Sequence, residues 1–166
     1  MKVLLATQKP FAAAAVKGIE DILVKAGHQV VKLEKYEAQA DFVAAVKDVE
    51  AIIIRSDKVT EEVIAAAPKL KIVVRAGAGY DNVDLAAATA HGVVVMNTPG
   101  QNSNAVAELA IAMMIFMART QLTPATGSEV QGKKLGVQAY GNVGRLVGQK
   151  AKALGMSVCA DRKSVV

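Results

Sequence analysis

The stretch KIVVRAGAGYDNVDLAAATAHGVVVMNTPG (Lys71–Gly100) contains a complete strand–helix–strand unit. An apolar run ends at an arginine, a glycine-rich turn follows, and alanine-rich sequence at helical spacing leads into a run of valines. Gly92 stands where the helix should end, a position that favours glycine because the backbone there takes a positive φ. Two apolar strands joined through a helix are parallel neighbours in one sheet. The stretch therefore predicts an α/β fold whose strands are buried on both faces.

The same alternation of strand and helix runs through the first hundred residues. Helical patterns separate five apolar strand candidates, which lie at 2–7, 28–33, 49–56, 71–77 and 93–100. Short connections between them predict a flavodoxin-like, doubly wound parallel sheet, and we expect this domain to span 1–98. Thr60 should cap the helix after the third strand. Asp81 and Asp84 should cap the helix after the fourth or complement its dipole.

The rest of the sequence predicts a second, incomplete domain. Its expected parts are an apolar helix at 101–119, a linker rich in Thr, Pro, Gly and Ser at 120–132, and a βαβ unit at 133–160, within a domain spanning 99–166. Because the helix is apolar nearly all round, we expect it to be buried on several sides, between domains or in a subunit interface. Its methionines are interpreted as core filler.

Composition excludes several classes of function. The formal net charge of +5 comes from scattered lysines and arginines, and only 4% of the residues are aromatic, so we expect no nucleic-acid partner. A small acidic substrate or simply a solvated basic surface explains the charge. One cysteine, Cys159, allows neither a disulfide framework nor a metal site, and indicates a reducing, cytoplasmic compartment. The first residues are too short an apolar run for a membrane-spanning helix, so no membrane association is expected.

Two arginines end neighbouring apolar strands. Arg55 and Arg75 should meet at the carboxyl edge of the sheet, where two guanidinium groups can converge on a phosphate or carboxylate. The alternative is that each arginine bonds loop carbonyls, or pairs with Asp57 or Asp81. Sequence alone leaves both interpretations open.

Glycines and histidines bear on the same edge of the sheet. Gly77 and Gly79 favour an anion site, because backbone without Cβ atoms can present consecutive N–H groups to an anion. The alternative is that both glycines serve a positive φ. His28 and His91 fall in helix-to-strand loops, which open at the opposite edge, so we assign no catalytic residue to this chain.

The second unit contains the turn AYGNVG, which begins at Ala139. A dinucleotide fingerprint reads G-x-G-x-x-G, so Ala139 replaces the first glycine. Gly141 would let the backbone approach a pyrophosphate, and Gly144 would let the helix pack on the strand. Asn142 and Val143 would offer backbone N–H groups at the start of the helix. A plain tight turn is the alternative.

A family resemblance rests on three stretches: IIIRSDKV, VVRAGAGYDNVDLAAATAHGVVVMNTPGQNSNAVAELA and VQGKKLGVQAYGNVGR. They resemble the NAD-dependent D-isomer-specific 2-hydroxyacid dehydrogenases, from the first strand to about Ala160. The resemblance implies a substrate (lid) domain, the first βαβ of a Rossmann-type domain and NAD as cofactor. The apolar helix around 107–117 indicates a homodimer in the full-length parent. The same resemblance implies oxidation of 3-phosphoglycerate, as in serine biosynthesis, with glyoxylate or hydroxypyruvate as alternative substrates. A non-enzymatic anion-binding module is a further alternative.

The resemblance also implies the residues that hold the substrate. Arg55 and Ser56 would contact it, with Arg55 on the phosphate. Arg75 would support the same anion, and the backbone at Ala76 and Gly77 would hold the carboxylate.

Further roles follow from the resemblance in the same way. Asn102 would reach the substrate. Ala78 lies where the family contacts the cofactor, and Asn142 and Val143 would bind the NAD pyrophosphate. The family's catalytic arginine, glutamate and histidine would lie further along than this sequence reaches, so we expect the chain to be inactive.

The last six residues, DRKSVV, depart from the family pattern. Asp161 comes one place before the expected ribose-binding acid, and Arg162 occupies the acid's position. The codons GAT CGG AAG AGC GTC GTG TAG, which match a common sequencing adapter, encode these six residues and a stop. We therefore expect 161–166 to be a non-native tail.

Overall fold

The computed structural model describes residues 1–161 and divides the chain into two compact units. The first unit is Met1–Pro99, and the second begins at Gly100. Of the expected non-native tail at 161–166, Asp161 is described, and 162–166 lie outside the described residues. The assignment of the two units as substrate and cofactor domains stays a prediction.

The first unit alternates strand and helix throughout. Its elements are β1 (Lys2–Thr7), α1 (Ala13–Lys25), β2 (Gln29–Glu34), α2 (Gln39–Ala45), β3 (Ala51–Ile54), α3 (Glu61–Ala65), β4 (Ile72–Arg75), α4 (Leu85–Ala90) and β5 (Val94–Asn97). All five strands are parallel, in the order β2-β1-β3-β4-β5. This is the flavodoxin-like order, so the predicted fold class is confirmed.

The core of this unit consists of apolar side chains from the central strands and the helices above them. Leu4 of β1, Ile52 of β3 and Val73 of β4 are fully buried, and Phe42 of α2 and Val63 of α3 pack in the same cluster. Each such side chain stabilises the fold by about 1.5–3 kcal/mol. The rigid sheet fixes the positions at which the loops of its carboxyl edge begin.

Of the side chains predicted to cap helices, Asp84 makes a capping hydrogen bond and Thr60 does not. Asp84 caps α4 as predicted, because its carboxylate accepts a hydrogen bond from the Ala87 N–H at 2.9 Å. Thr60 is the N-cap residue of α3, but its hydroxyl makes no capping bond and is buried without a partner among the described residues. Asp81 lies in the turn ahead of α4 and makes no hydrogen bond within the described part of the chain.

The second unit contains a helix followed by a βαβ unit. Its elements are α5 (Ser103–Ala118), a short 3₁₀ helix (Thr120–Leu122), β6 (Lys134–Gln138), α6 (Asn142–Ala153) and β7 (Ser157–Asp161). The strands β6 and β7 pair in parallel, as the predicted βαβ unit requires. Cys159 is exposed on β7, with its Sγ 3.6 Å from the carbonyl oxygen of Leu135.

Most of α5 is exposed in the described chain, so its predicted burial between domains or in a subunit interface stays a prediction. Only Ser103 and Ala107 of this helix are buried. The exposed apolar face of α5 comprises Val106, Leu109, Met113, Phe116 and Met117. Two of the expected core methionines therefore face outwards, because within this unit α6 is the one long helix that packs against α5.

The predicted linker begins in an unusual conformation. Thr120, Gln121 and Leu122 have φ of 50°, 58° and 60°, although none of them is glycine. Such backbone costs roughly 1–2 kcal/mol per residue. The segment returns to α5 through a hydrogen bond from the Ser128 N–H to the Ala118 carbonyl at 2.7 Å. None of the helices in residues 1–161 combines the length and apolar composition needed to cross a membrane.

Candidate functional site

The carboxyl edge of the first unit brings the predicted polar clusters together. In the sheet register, Ile54 of β3 pairs with Arg75 of β4, and Arg75 pairs with Asn97 of β5. The loops after these three strands therefore begin at the same level. Ligands in open parallel sheets bind beyond this edge.

Arg75 is held in place by the neighbouring strand. Its Nε donates a hydrogen bond to the carbonyl oxygen of Arg55 at 2.8 Å. Its guanidinium lies over Gly77, where an added Cβ atom would overlap Nη1. Neither Asp57 nor Asp81 forms a salt bridge with Arg75 in the described chain, so a loop carbonyl is its partner.

The two turn glycines do not serve a positive φ. Neither Gly77 nor Gly79 is among the described glycines with that conformation, whereas Gly27 and Gly92, which follow helices, have φ of 77° and 67°. The positive-φ alternative is therefore wrong for the turn. Gly77 is needed instead because the Arg75 guanidinium occupies the space of its missing side chain.

Arg55 and Ser56 directly follow β3 and are exposed. The guanidinium of Arg55 has no hydrogen-bond or salt-bridge partner in residues 1–161. One arginine at this edge is thus held by a backbone carbonyl, while its neighbour is exposed and without a partner in residues 1–161. Two such guanidinium groups can together bind a phosphate or a carboxylate through charge-assisted hydrogen bonds.

The backbone of the turn is partly committed to internal bonds. The Ala76 N–H donates to Ile54 O, and the Gly77 N–H donates to Arg75 O, each at 2.8 Å. In residues 1–161 the N–H groups of Ala78 and Gly79 have no acceptor. The turn therefore offers an anion the amides of 78 and 79 first. The predicted carboxylate contacts at 76 and 77 stay predictions, and at 77 an anion would compete with the bond to the Arg75 carbonyl.

The end of β5 fixes the other side of the turn. The Thr98 N–H donates to the Gly77 carbonyl at 2.9 Å, and Asn97 Nδ2 donates to the Ala78 carbonyl at 2.7 Å. These two bonds hold the turn against the end of β5, and the amides of Ala78 and Gly79 are the ones without an acceptor in residues 1–161.

A buried carboxylate lies beneath the edge. Asp57 is 5% exposed, and its Oδ1 accepts hydrogen bonds from the Tyr36 hydroxyl and the Gln8 N–H, each at 2.7 Å. Burial, and then the hydrogen bond to Asp57, raise the pKa of the Tyr36 phenol well above its usual value. Sequence reasoning considered Asp57 only as an arginine partner and missed Tyr36, since nothing in the pattern links residues so far apart.

The histidines lie away from this edge. His28 precedes β2, and His91 is the C-cap residue of α4, so both lie at the amino-terminal edge, as expected. His91 Nδ1 is 3.1 Å from the Ala87 carbonyl, and His28 Nδ1 is 3.4 Å from the amino group of Met1. Neither imidazole can act on a ligand held by the two arginines.

The turn in the second unit has the packing of a dinucleotide fingerprint. An added Cβ at Gly144 would come 2.5 Å from the carbonyl oxygen of Ala139 and 3.1 Å from Cγ1 of Val137. An added Cβ at Gly141 would meet nothing within 4 Å. The third glycine thus allows the helix to pack on the strand, and the middle glycine leaves open space beside the backbone.

The start of α6 can hold an anion of the pyrophosphate type. The N–H groups of Asn142, Val143 and Gly144 lie in the first helical turn and have no acceptor within the helix. Arg145 adds a cation, with its Nη2 3.4 Å from Asn142 Oδ1. The adjoining cleft of about 280 Å³ is lined by Ser103, Asn142, Arg145, Leu146 and Gln149. Sequence reasoning missed Arg145, although it directly follows the fingerprint.

Two features of this turn depart from the fingerprint. Ala139 replaces glycine at a φ of 68°, where an L-residue is strained. The Ala139 and Tyr140 N–H groups donate to the carbonyl of Asp161, at 3.0 and 3.2 Å, which anchors the turn to the end of β7.

Asn102, which is predicted to reach the substrate, is the N-cap residue of α5. It is exposed and makes no capping bond with its side chain.

Comparison with known proteins identifies the family. Residues 5–159 match the family described as D-isomer specific 2-hydroxyacid dehydrogenase, catalytic domain. The chain belongs to this family. The D-3-phosphoglycerate dehydrogenase of Rattus norvegicus is 43% identical, over 81% of this chain and 28% of the relative. That of Mycobacterium tuberculosis is 44% identical, over 70% of this chain and 25% of the relative.

Solved structures of other dehydrogenases show the same fold. A 3-phosphoglycerate dehydrogenase from Entamoeba histolytica with bound NAD+ is 49% identical, with a TM-score of 0.95. This chain is covered completely and spans 55% of that protein. An NAD-dependent formate dehydrogenase from Staphylococcus aureus, in complex with NAD, is 26% identical with a TM-score of 0.80. The chain thus spans about half of these solved structures and about a quarter of the curated relatives.

Proposed function

We propose that this chain carries the substrate-anion site and the dinucleotide turn of an NAD-dependent dehydrogenase that oxidises 3-phosphoglycerate to 3-phosphohydroxypyruvate. The observation that carries the proposal is the pair of arginines at one sheet edge. Arg75 is fixed by the Arg55 carbonyl, while the Arg55 guanidinium has no partner within the described residues. The names of the Rattus and Entamoeba relatives support this choice of substrate.

The two arginines would divide the substrate between them. Arg55 is exposed and its guanidinium has no partner in residues 1–161, so it would reach the phosphate, with Ser56 beside it. Arg75 is held close to the turn and would bind the carboxylate together with the amides of Ala78 and Gly79. A phosphate at one end and a carboxylate at the other distinguish this substrate from smaller 2-hydroxy acids.

The second unit would hold NAD at the start of α6. Gly141 leaves room for the pyrophosphate, and the amides of Asn142 and Val143 would bind it. Arg145 would add a positive charge beside it. When bound, NAD supplies the acceptor for the hydride. The protein residues described here bind and orient, and none of them is assigned to proton transfer.

We further propose that this chain binds its ligands without turning them over. Its two histidines lie at the wrong edge of the sheet. Asp57 is buried, and its oxygens accept hydrogen bonds within the protein. Hydride transfer from a 2-hydroxy acid needs a group that accepts the hydroxyl proton.

The exposed apolar face of α5 would be covered by a second copy of the chain. Leu109, Met113 and Met117 are each about three-fifths exposed. A contiguous apolar face of this kind marks an interaction surface. Sedimentation over a range of concentrations tests for a dimer, and L109E should shift the equilibrium to the monomer. A wild-type chain that stays monomeric at every concentration would exclude this assembly.

A calorimetric comparison of two acids tests the proposed substrate. The chain is titrated with 3-phosphoglycerate and with D-glycerate, which lacks the phosphate. R55Q should weaken 3-phosphoglycerate binding by about tenfold, the effect of one lost charged contact, and leave D-glycerate binding unchanged. R119Q, at an exposed arginine that ends α5, is the matched control and should change neither affinity.

The same samples test the rest of the proposal. NAD is added to the samples that contain 3-phosphoglycerate. Formation of NADH there would show that an acid–base group has been overlooked. Binding of glyoxylate or D-glycerate with no preference for the phosphorylated acid would move the substrate class to smaller 2-hydroxy acids. Absence of binding for all of these acids would exclude the anion site at Arg55 and Arg75.

A further inference from the structure

Asp57 is a buried charge in a place where burial is costly. The side chains of Arg55 and Ser56 are exposed, yet Asp57 is 5% exposed and forms no salt bridge in residues 1–161. A carboxylate removed from water needs compensating donors. Oδ1 receives the Gln8 N–H and the Tyr36 hydroxyl at 2.7 Å each.

These contacts join chain segments that the sheet alone does not hold together. Gln8 follows β1, Tyr36 follows β2, and Asp57 follows β3. A fourth segment, the turn before α4, is joined by Asn82, whose Nδ2 donates to the Asp57 carbonyl at 2.8 Å. A single residue thus gathers four segments at the carboxyl edge. An apolar side chain of the same size would fill the space but accept neither the bond from the Gln8 N–H nor that from the Tyr36 hydroxyl, while the backbone carbonyl would still accept from Asn82.

The network continues to the candidate anion site through one residue. The Arg55 N–H points to Asp57 Oδ2, at 3.4 Å, and the Arg55 carbonyl accepts the hydrogen bond from Arg75 Nε, at 2.8 Å. The same stretch of backbone is therefore held by the carboxylate on one side and holds the guanidinium on the other. A rotation of the turn after β3 would move the acceptor that fixes Arg75.

We propose that Asp57, with Tyr36, is a positioning residue of the anion site: through the backbone of Arg55 it holds the Arg75 guanidinium over Gly77. The inference rests on the proposed function for its biological meaning. Its geometric content, the dependence of the Arg75 position on Asp57, stands by itself.

The change in 3-phosphoglycerate affinity caused by D57N distinguishes a positioning role from a purely electrostatic role and from a role in stability alone. D57N removes a negative charge close to a bound anion, so electrostatics alone would strengthen binding. A role only in stability would leave the affinity of the folded protein unchanged. A positioning role predicts weaker binding. The asparagine side chain has one oxygen and one NH₂ group, so it cannot accept hydrogen bonds at both of the positions where the two carboxylate oxygens do, and the backbone at Arg55 would be held less firmly. We expect a loss of about tenfold for 3-phosphoglycerate.

A spectroscopic signal reports the position of Arg75 without any ligand. The Arg75 Nε–H resonance in proton–nitrogen correlation spectra is assigned by its loss in R75K. Its exchange with water should be slow in the wild type, because this N–H is hydrogen-bonded. In D57N the resonance should shift and exchange faster. D21N, which makes the same chemical change at an exposed carboxylate on α1, should leave it unchanged.

Every outcome of this experiment decides the proposal. An unchanged Arg75 resonance in folded D57N, or tighter binding of 3-phosphoglycerate, overturns it. If D57N changes the Arg75 resonance but the wild-type chain does not bind 3-phosphoglycerate, the positioning of Arg75 is upheld and the proposed substrate is rejected instead. If D57N does not fold, Y36F is used, which removes one donor and keeps the carboxylate. Y36F should shift the resonance in the same direction by a smaller amount, and no shift there also overturns the proposal.

Discussion

The guanidinium of Arg75 fills the space that a side chain at Gly77 would need. An added Cβ at position 77 would overlap Nη1 and lie 3.1 Å from Nε. The backbone of Gly77 does not have a positive φ, so conformation alone would admit other residues. Gly77 is therefore required by the arginine two positions before it, because only a residue without a side chain leaves room for the Arg75 guanidinium against the turn.

G77A should displace Arg75 while leaving the fold intact, because the atoms that the new Cβ meets are the end of a flexible side chain. The loss of the bond from Arg75 Nε to Arg55 O should lower the free energy of unfolding by about 1 kcal/mol. Urea denaturation measures this change. G79A is the matched control, since its Cβ would meet only Asp81 Oδ1 at 3.1 Å, and it should cost less than about 0.5 kcal/mol. Equal costs for the two variants would contradict the steric role of position 77.

G144A and G141A should separate packing from ligand binding in the second unit. The Cβ of G144A would lie 2.5 Å from a backbone oxygen, which cannot move away freely. We expect it to lower the free energy of unfolding by about 1–3 kcal/mol. G141A meets nothing within 4 Å and should leave stability unchanged while weakening NAD binding. Thermal unfolding and an NAD titration of both variants measure these effects. If G141A binds NAD as well as the wild type, the pyrophosphate does not lie against this backbone.

A139G should stabilise the second unit. Ala139 has a φ of 68°, a conformation that costs an L-residue roughly 1–2 kcal/mol and glycine almost nothing. The greater freedom of glycine in the unfolded chain offsets part of the gain, so the net increase in unfolding free energy should be about 0.5 kcal/mol. A153G makes the same substitution in α6 and should instead destabilise by up to about 1 kcal/mol. Destabilisation by A139G would show that the alanine Cβ makes a contact that outweighs the strain.

The alkaline stability of the chain should depend on Tyr36. Burial and the hydrogen bond to Asp57 raise the pKa of this phenol in the folded state, so the folded chain holds the proton more tightly than the unfolded chain. This contribution to stability is complete below a pH of about 10, the ordinary pKa of tyrosine, and is lost as the pH rises further. Chemical denaturation between about pH 8 and 11 should show a decline in unfolding free energy that sets in near pH 10 in the wild type and is shallower in Y36F. Y80F, at an exposed tyrosine, should follow the wild type.

Much of the fold follows from local sequence patterns. Buried parallel strands give near-continuous apolar runs such as that ending at Arg75, and Gly27 and Gly92 mark helix ends because a positive φ there favours glycine. Thr60 shows where a local rule fails. It stands at the start of α3 as the capping pattern predicts, but tertiary packing buries its hydroxyl away from the helix amides.

The candidate site could be located from sequence but not built from it. Parallel topology brings Arg55 and Arg75 to one edge, because their strands are neighbours. The contact between Tyr36 and Asp57 depends on how two loops fold towards each other, and no periodicity encodes that. The partner of α5 is a related case, since an apolar helix shows that a partner is needed but not whether the same chain or a second chain provides it.

Cys159 gives the molecule a built-in probe. It is the single cysteine of the chain and is exposed on β7, and the first unit contains no thiol. One maleimide dye per molecule therefore attaches to the second unit without any substitution. The fluorescence of such a dye would report the unfolding of the β6–β7 pair separately from the unfolding of the five-stranded sheet.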